Sequence, residues 1–299
     1  MDIAGFTGRR IATGETEIFA RVGGSGPPLV CLHGYPQTHV TWRKVAPALA
    51  ERYTVVLIDS RGYGDSAVVP SGPDHAAYGK RAMARDVAAV MSALGHERFF
   101  VAGHDRGARV GYRLALDAPE RVAAFASLDV IPTVDTFEAM NEVGAYRAYH
   151  WYFLAQPAPL PERLIASDPD FYARTTIESW LEDPAAVEPE AMEAYLAWFR
   201  RPSSAHVVCE DYRAGYTVDL ATDRADRAAG RKLVCPVFVL WGAGPSRPRT
   251  QDFVGVWQRW ADDVSGHGLP CGHFLMEEQP AATSAALLAF FAQHRAALP

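Results

Sequence analysis

Short apolar runs, each leading into a turn, punctuate this chain: PLVCLHG, YTVVLIDSRGYG, FFVAGHDRG, AFASLDVIP and PVFVLWGAG. Runs of this length without polar alternation are the mark of strands buried on both faces. Helical patterns lie between them, at 42–52, 80–94, 107–118 and 281–294. Strand alternating with helix predicts an α/β fold, a parallel sheet covered on both sides. The first residues differ, with short alternating segments around Ile11 and 18–22 before the turn GGSGPP, and they predict a hairpin. From Thr133 to about Lys232 no parallel strand is legible, only aromatics, prolines and helix-like stretches. This predicts a core domain built from 1–132 and 233–299, with a helical cap inserted at 133–232. Ligands in open parallel sheets bind beyond the carboxyl ends of the strands, and a cap placed there would exclude water from the site.

The chain has 299 residues, enough for one large α/β core with an insertion and no need of a disulfide or metal staple. Its net charge of −6 argues against nucleic acid as a partner. It says little about a small anionic substrate, since local arginines can outweigh the global field. Cys31, Cys209, Cys235 and Cys271 form no CxxC pair and are expected to be buried reduced thiols. No apolar run follows a basic start at the N-terminus, and none is long enough to span a membrane, so a cytoplasmic location is expected.

The sharpest motif is Gly103-His104-Asp105-Arg106-Gly107, where an apolar strand runs straight into a helix pattern. This is a nucleophile elbow, G-x-Nuc-x-G, with Asp where serine is commoner. Glycines flank the nucleophile because so tight a turn leaves no room for side chains. The turn also sets Asp105 at a helix N-terminus, where peptide dipoles favour an anion. Alone, the pattern also fits a strand-to-helix turn with a capping Asp. Two further pieces favour the elbow. Cys31-Leu32-His33-Gly34-Tyr35-Pro36 ends a strand at the loop that supplies one N–H of the oxyanion hole in this fold, here Tyr35, with the Arg106 N–H as the other. Gly272-His273-Phe274 puts a late histidine where the base belongs. The acid is read as Asp129, at the end of Ser127-Leu128-Asp129-Val130, because no carboxylate follows PVFVLWGAG before Asp252.

From HGYPQT through DSRGYGDS and GHDRG to PCGHF, the chain resembles the α/β-hydrolases along nearly its whole length. It is similar in particular to the haloacetate, or fluoroacetate, dehalogenases, on the stretches GHDRGARVGYRLALD, LDVIPT and YHWYFLAQPAP. The resemblance implies a mostly parallel eight-stranded sheet with a helical cap, and a homodimer. It also implies hydrolytic removal of halide from a small 2-halo acid, giving the 2-hydroxy acid, without cofactor or metal. The chemistry suits the residues. A carboxylate displaces halide and forms an ester to the enzyme, and a histidine then activates water to cleave that ester. Arg106 and Arg109, three apart, share one face of the elbow helix. Two guanidinium groups there suit a substrate bearing its own carboxylate, and they should hold the Asp105 pKa low. By resemblance they clamp that carboxylate, while His150, Trp151 and Tyr212 hold the departing halide.

An epoxide hydrolase is the alternative: it shares the Asp nucleophile and uses two cap tyrosines, for which Tyr146, Tyr149, Tyr152, Tyr172 and Tyr195 are candidates. The arginine pair argues against it, since an epoxide is neutral. A haloalkane dehalogenase usually has tryptophan after the nucleophile, where Arg106 stands. A catalytically silent binding protein would not need nucleophile, base and acid together. Arg113 is read as structural, and Ser60, Ser66 and Ser246 lack elbow flanks. His206, Glu210 and His267 show no metal spacing, and no dinucleotide fingerprint is present.

Overall fold

The computed structural model describes residues 1–245 and 251–298; Ser246 lies outside the described residues. The sheet has eight strands: β1 Phe6–Ala12, β2 Glu17–Gly23, β3 Pro28–Leu32, β4 Thr54–Ile58, β5 Phe99–His104, β6 Val122–Leu128, β7 Val237–Gly242 and β8 Val264–Leu269. Their order is β1-β2-β4-β3-β5-β6-β7-β8. The β1–β2 hairpin is antiparallel and joins β4 antiparallel, and every pairing from β4 to β8 is parallel.

Successive side chains of these strands enter opposite cores, as the two-residue period demands. Val30, Leu32, Val56, Ile58, Val101 and Val239 pack on one face, with Met83, Val87 and Val90 of α2 (Lys80–Ala93) and Val110 and Leu114 of α3 (Arg106–Asp117). Leu29, Cys31, Val55, Leu57, Phe100, Ala102 and Leu240 pack on the other, with Leu49, Leu287, Phe290 and Phe291. The helices before the insertion are α1 Ala46–Ala50, α2 Lys80–Ala93 and α3 Arg106–Asp117. Within it run α4 Thr133–Glu138, α5 Glu142–Arg147, α6 Tyr149–Leu154, α7 Leu160–Ser167, α8 Pro169–Glu178, α9 Pro189–Phe199, α10 Ser204–Ala214 and α11 Leu220–Ala228. Then come α12 Phe253–Trp257, α13 Leu275–Glu278 and α14 Pro280–Gln293.

Two elements differ from the sequence reading. The helix expected over 42–52 is a 3-10 turn, His39–Trp42, followed by the short α1. Pro47 sits in the first turn of α1, where its missing N–H costs least, so the helix starts there. The strand β8, VSGHGL, is no apolar run because it closes the sheet edge and exposes alternate residues. All four cysteines are buried, and no disulfide is formed among the described residues. No helix among the described residues is long and apolar enough to cross a membrane.

The elbow is a place of close backbone approach. A Cβ on Gly107 would lie 2.4 Å from the His33 carbonyl oxygen and 2.5 Å from that of Leu32; one on Gly103 would lie 2.5 Å from Ala108 Cα. These neighbours are backbone atoms and cannot swing aside. We therefore expect Gly107→Ala to lower stability by about 1–3 kcal/mol or more, the usual cost of overpacking. Gly144→Ala, on the exposed helix α5 and at an ordinary φ, should be neutral or stabilising. Denaturant midpoints of the two variants check this.

Candidate active site

Asp105 caps β5 and starts α3 at φ 47° and ψ −118°, a conformation L-residues rarely adopt. Strain of this kind persists only where surrounding structure enforces it, and it gathers at functional sites. Here the Asp105 N–H donates to the Leu128 carbonyl (3.1 Å), and the Asp105 carbonyl accepts from the N–H groups of Ala108 and Arg109. The side chain is buried, and the Tyr35 N–H donates to its Oδ1 at 3.0 Å. Gly34 allows that approach, because a Cβ there would lie 2.4 Å from the Asp105 Cβ. The Arg106 N–H follows at once, among the amides a helix leaves without an intrahelical partner.

His273 presents Nε2 to Asp105 Oδ2 at 3.8 Å. Its Nδ1 donates to Asp129 Oδ2 at 2.5 Å, which leaves the basic nitrogen facing Asp105. Asp129 follows β6, also at positive φ (61°), and its Oδ1 accepts from the Gly242 N–H at the end of β7 (2.8 Å). Two strand ends thus hold the acid, and the acid holds the imidazole in one tautomer. The backbone of His273 is fixed too. Its N–H donates to the Trp180 carbonyl (2.8 Å), and its carbonyl accepts from His104 Nε2 (2.8 Å).

The arginines stand beside the carboxylate, both buried. Arg106 reaches Asp211, with Nε 3.2 Å and Nη2 2.5 Å from Oδ1. Arg109 donates to Thr133 Oγ1 (3.2 Å) and Thr136 Oγ1 (3.1 Å). Arg106 Nη1 and Arg109 Nε have no hydrogen-bond partner among the described residues. Buried donors are rarely left so, which makes them natural receivers of a ligand oxygen. Arg113 turns away to Asp223 (3.0 Å) and Asp226 (2.6 Å) and ties α3 to α11.

The helical insertion brings His150, Trp151 and Tyr212 together. The Tyr212 ring lies 5.6 Å from His150, 5.5 Å from Trp151 and 5.2 Å from Tyr35. The guanidinium of Arg106 sits 4.2 Å from the Tyr212 ring centroid, and that of Arg109 sits 4.7 Å from Trp151. Trp180 packs on both His150 (4.6 Å) and His273 (5.3 Å). The sequence reading missed Trp180, Asp211, Lys80, Thr133 and Thr136. Only Asp211 had any signal, as the acid preceding Tyr212; the rest reach the site from elements distant in sequence.

Burial alone would raise the Asp105 carboxyl, but nearby charge outweighs it and holds the group below its ordinary value. The contributors are His273, His104, Arg109 and Arg106. Burial holds His104 itself down to about 4, so near neutrality its charge is gone and the arginines supply the permanent part. Burial and the Asp105 charge push the Tyr212 phenol well up, so it keeps its proton as a donor.

The site thus holds a strained carboxylate at a sharp turn, a histidine facing it and an acid behind the histidine. Residues 27–281 match the family described as alpha/beta hydrolase fold. The chain belongs to the α/β-hydrolases. Within that family it is 42% identical to the fluoroacetate dehalogenase of Burkholderia sp., over 98% of this chain and 96% of that protein. It is 35% identical to the soluble epoxide hydrolase of Corynebacterium sp. (strain C12), over 91% and 92% of the two chains. A solved structure from Pseudomonas aeruginosa, provisionally called an epoxide hydrolase and holding bound MFA, shares 49% identity at a TM-score of 0.94, covering 99% of each chain.

The charge balance at the elbow of this α/β-hydrolase can be tested. A carboxyl lowered in the folded state is ionised throughout the range above its folded pKa, and it protonates only as pH falls through that lowered value. We expect Asp105 to titrate below 3.8, the ordinary aspartate value. Arg109→Leu removes a favourable charge and should move the titration upward. Infrared difference titration against Asp105→Asn measures both.

Proposed function

We propose that this α/β-hydrolase removes halide from a small 2-halo acid such as a haloacetate, giving the 2-hydroxy acid. The single observation that carries the reading is the pair of guanidinium donors, Arg106 Nη1 and Arg109 Nε, left without partners beside a buried ionised carboxylate. A substrate carboxylate would satisfy them. The likeness to the Burkholderia fluoroacetate dehalogenase supports the same substrate class.

In this reading Asp105 Oδ2 attacks the carbon bearing halogen, and the halide leaves with the bonding pair. The product is an ester between Asp105 and the substrate carbon. Water between His273 and Asp105 then gives a proton to Nε2 and attacks Asp105 Cγ. The negative charge that develops on Oδ1 meets the Tyr35 N–H, already 3.0 Å away. Asp129 stabilises the imidazolium. The tetrahedral carbon collapses, the imidazolium returns its proton to the departing alkoxide oxygen to give the hydroxy acid, and the restored Asp105 carboxyl loses its proton to water. Net consumption is one water, and net release is one halide and one proton. His150, Trp151 and Tyr212 act as the halide cradle, donating N–H and O–H groups that matter most as charge appears on the leaving atom. The segment 133–232 serves as the cap.

The epoxide-hydrolase likeness is the competing consideration. That chemistry calls for two phenols above the nucleophile. Of the candidate tyrosines, Tyr146, Tyr149 and Tyr152 are exposed (84%, 56% and 37%), Tyr195 donates to Glu277, and the Tyr172 hydroxyl is hydrogen-bonded to that of Tyr35. Tyr212, by contrast, lies in the cradle, and burial with the Asp105 charge keeps its phenol protonated. The tyrosine arrangement therefore favours the halo acid.

Halide release from fluoroacetate and chloroacetate, beside diol formation from styrene oxide, tests the assignment. Halide is expected and diol is not; halide release unchanged in Asp105→Ala would refute it. His273→Asn should expel one equivalent of halide and stall, with the protein heavier by the bound acid in intact mass spectra. Repeated turnover by that variant would end the base role.

A further inference from the structure

The two arginines are held in opposite electrostatic settings. Arg109 is buried against two neutral hydroxyls, Thr133 and Thr136, and makes no ion pair among the described residues. Arg106 is gripped by a carboxylate. Asp211 Oδ1 takes both Nε and Nη2, and its backbone carbonyl also accepts from Nη2. Asp211 is itself embedded: buried Lys80 donates to Oδ1, and the Tyr63 hydroxyl donates to Oδ2 at 2.9 Å. Lys80 lies 3.7 Å from a second carboxylate, Asp219, whose Oδ1 accepts the Lys80 backbone N–H. The group Arg106, Lys80, Asp211 and Asp219 thus pairs its cations with carboxylates. From the far side, Gly215 backs the guanidinium. A Cβ there would lie 3.1 Å from Arg106 Nη2 and 3.2 Å from Nη1. Its φ of −57° would admit alanine, so the space and not the backbone asks for glycine.

We infer that the arginines divide the work on the substrate carboxylate: Arg109 supplies the uncompensated charge that selects an anion, and Arg106 is a charge-compensated donor whose direction is set by Asp211 and Gly215. Asp211 is a positioning residue. It spends two edges of the guanidinium and leaves Nη1 as the one that can meet a ligand. A planar guanidinium fixed on two sides presents its remaining donor in one direction, which lowers the ordering cost of binding. The inference rests on the reading that the substrate bears a carboxylate, but not on what leaves from its neighbouring carbon.

Acetate and its neutral isostere acetamide are the probes, titrated into the whole protein and followed by NMR. Wild type should prefer acetate. Arg109→Leu should lose roughly tenfold or more of that preference, the scale of one buried charge-assisted contact. Asp211→Asn adds net positive charge, so a purely electrostatic role predicts tighter acetate binding; a positioning role predicts weaker binding of both probes with the preference kept. Gly215→Ala leaves the Asp211–Lys80 pair in place and displaces only the guanidinium. It should weaken both probes in the same way at an unchanged unfolding midpoint, which covers the case in which Asp211→Asn fails to fold. Acetate bound as tightly as in wild type by Gly215→Ala, or more tightly by Asp211→Asn, overturns the proposal. So does an equal loss of acetate preference in Arg109→Leu and Gly215→Ala. A protein that shows the expected pattern yet releases no halide loses the dehalogenase reading and keeps this one.

Discussion

Keeping one carboxylate charged inside the protein is the constraint around which the rest is arranged. A buried ionised group is costly unless other charges and donors compensate it. Asp105 has Tyr35 N–H on one oxygen, His273 facing the other and two arginines on the helix it begins. Its backbone is strained, and β6 and the first turn of α3 hold it so. The same compensation that makes burial bearable keeps the group ionised.

The insertion over the sheet closes this environment by two kinds of contact. Aromatic rings from α6 and α10 meet Tyr35 from the core and cover the guanidinium faces. Buried ion pairs tie α10 and α11 down: Arg106 and Lys80 to Asp211, Arg113 to Asp223 and Asp226. Such pairs add little net stability over apolar packing, yet losing one partner strands a charge. They therefore fix where the roof sits more than how firmly it folds. Trp180 adds a third tie, its ring tilted against that of His150 and its carbonyl accepting the His273 N–H.

Much was legible in the chain without coordinates. Strand, tight turn and helix at 99–117 announce themselves because a sharp strand-to-helix turn is a local pattern; Gly103 is demanded by Ala108 close by, whereas Gly107 is demanded by the backbone of Leu32 and His33. The hairpin and the parallel strands with apolar runs were readable for the same reason, while β8 hid because an edge strand need not be apolar on both faces. His273 and Asp129 could be named because each follows the carboxyl end of a strand, and all such ends rise on one side of a parallel sheet.

What only the tertiary structure decided lies between elements far apart in sequence. Nothing in the chain says that Lys80 and Asp211, 131 residues apart, meet behind Arg106. Nor does it say that Arg109 finds hydroxyls where Arg106 finds a carboxylate, or that the Tyr35 and Tyr172 hydroxyls meet. Local patterns specify backbone geometry, because sterics and hydrogen bonding act over a few residues. The partner of a buried charge depends on how separate layers pack, so the carboxylate at the sharp turn was written in the sequence, while the division of charge around it emerged only from the fold.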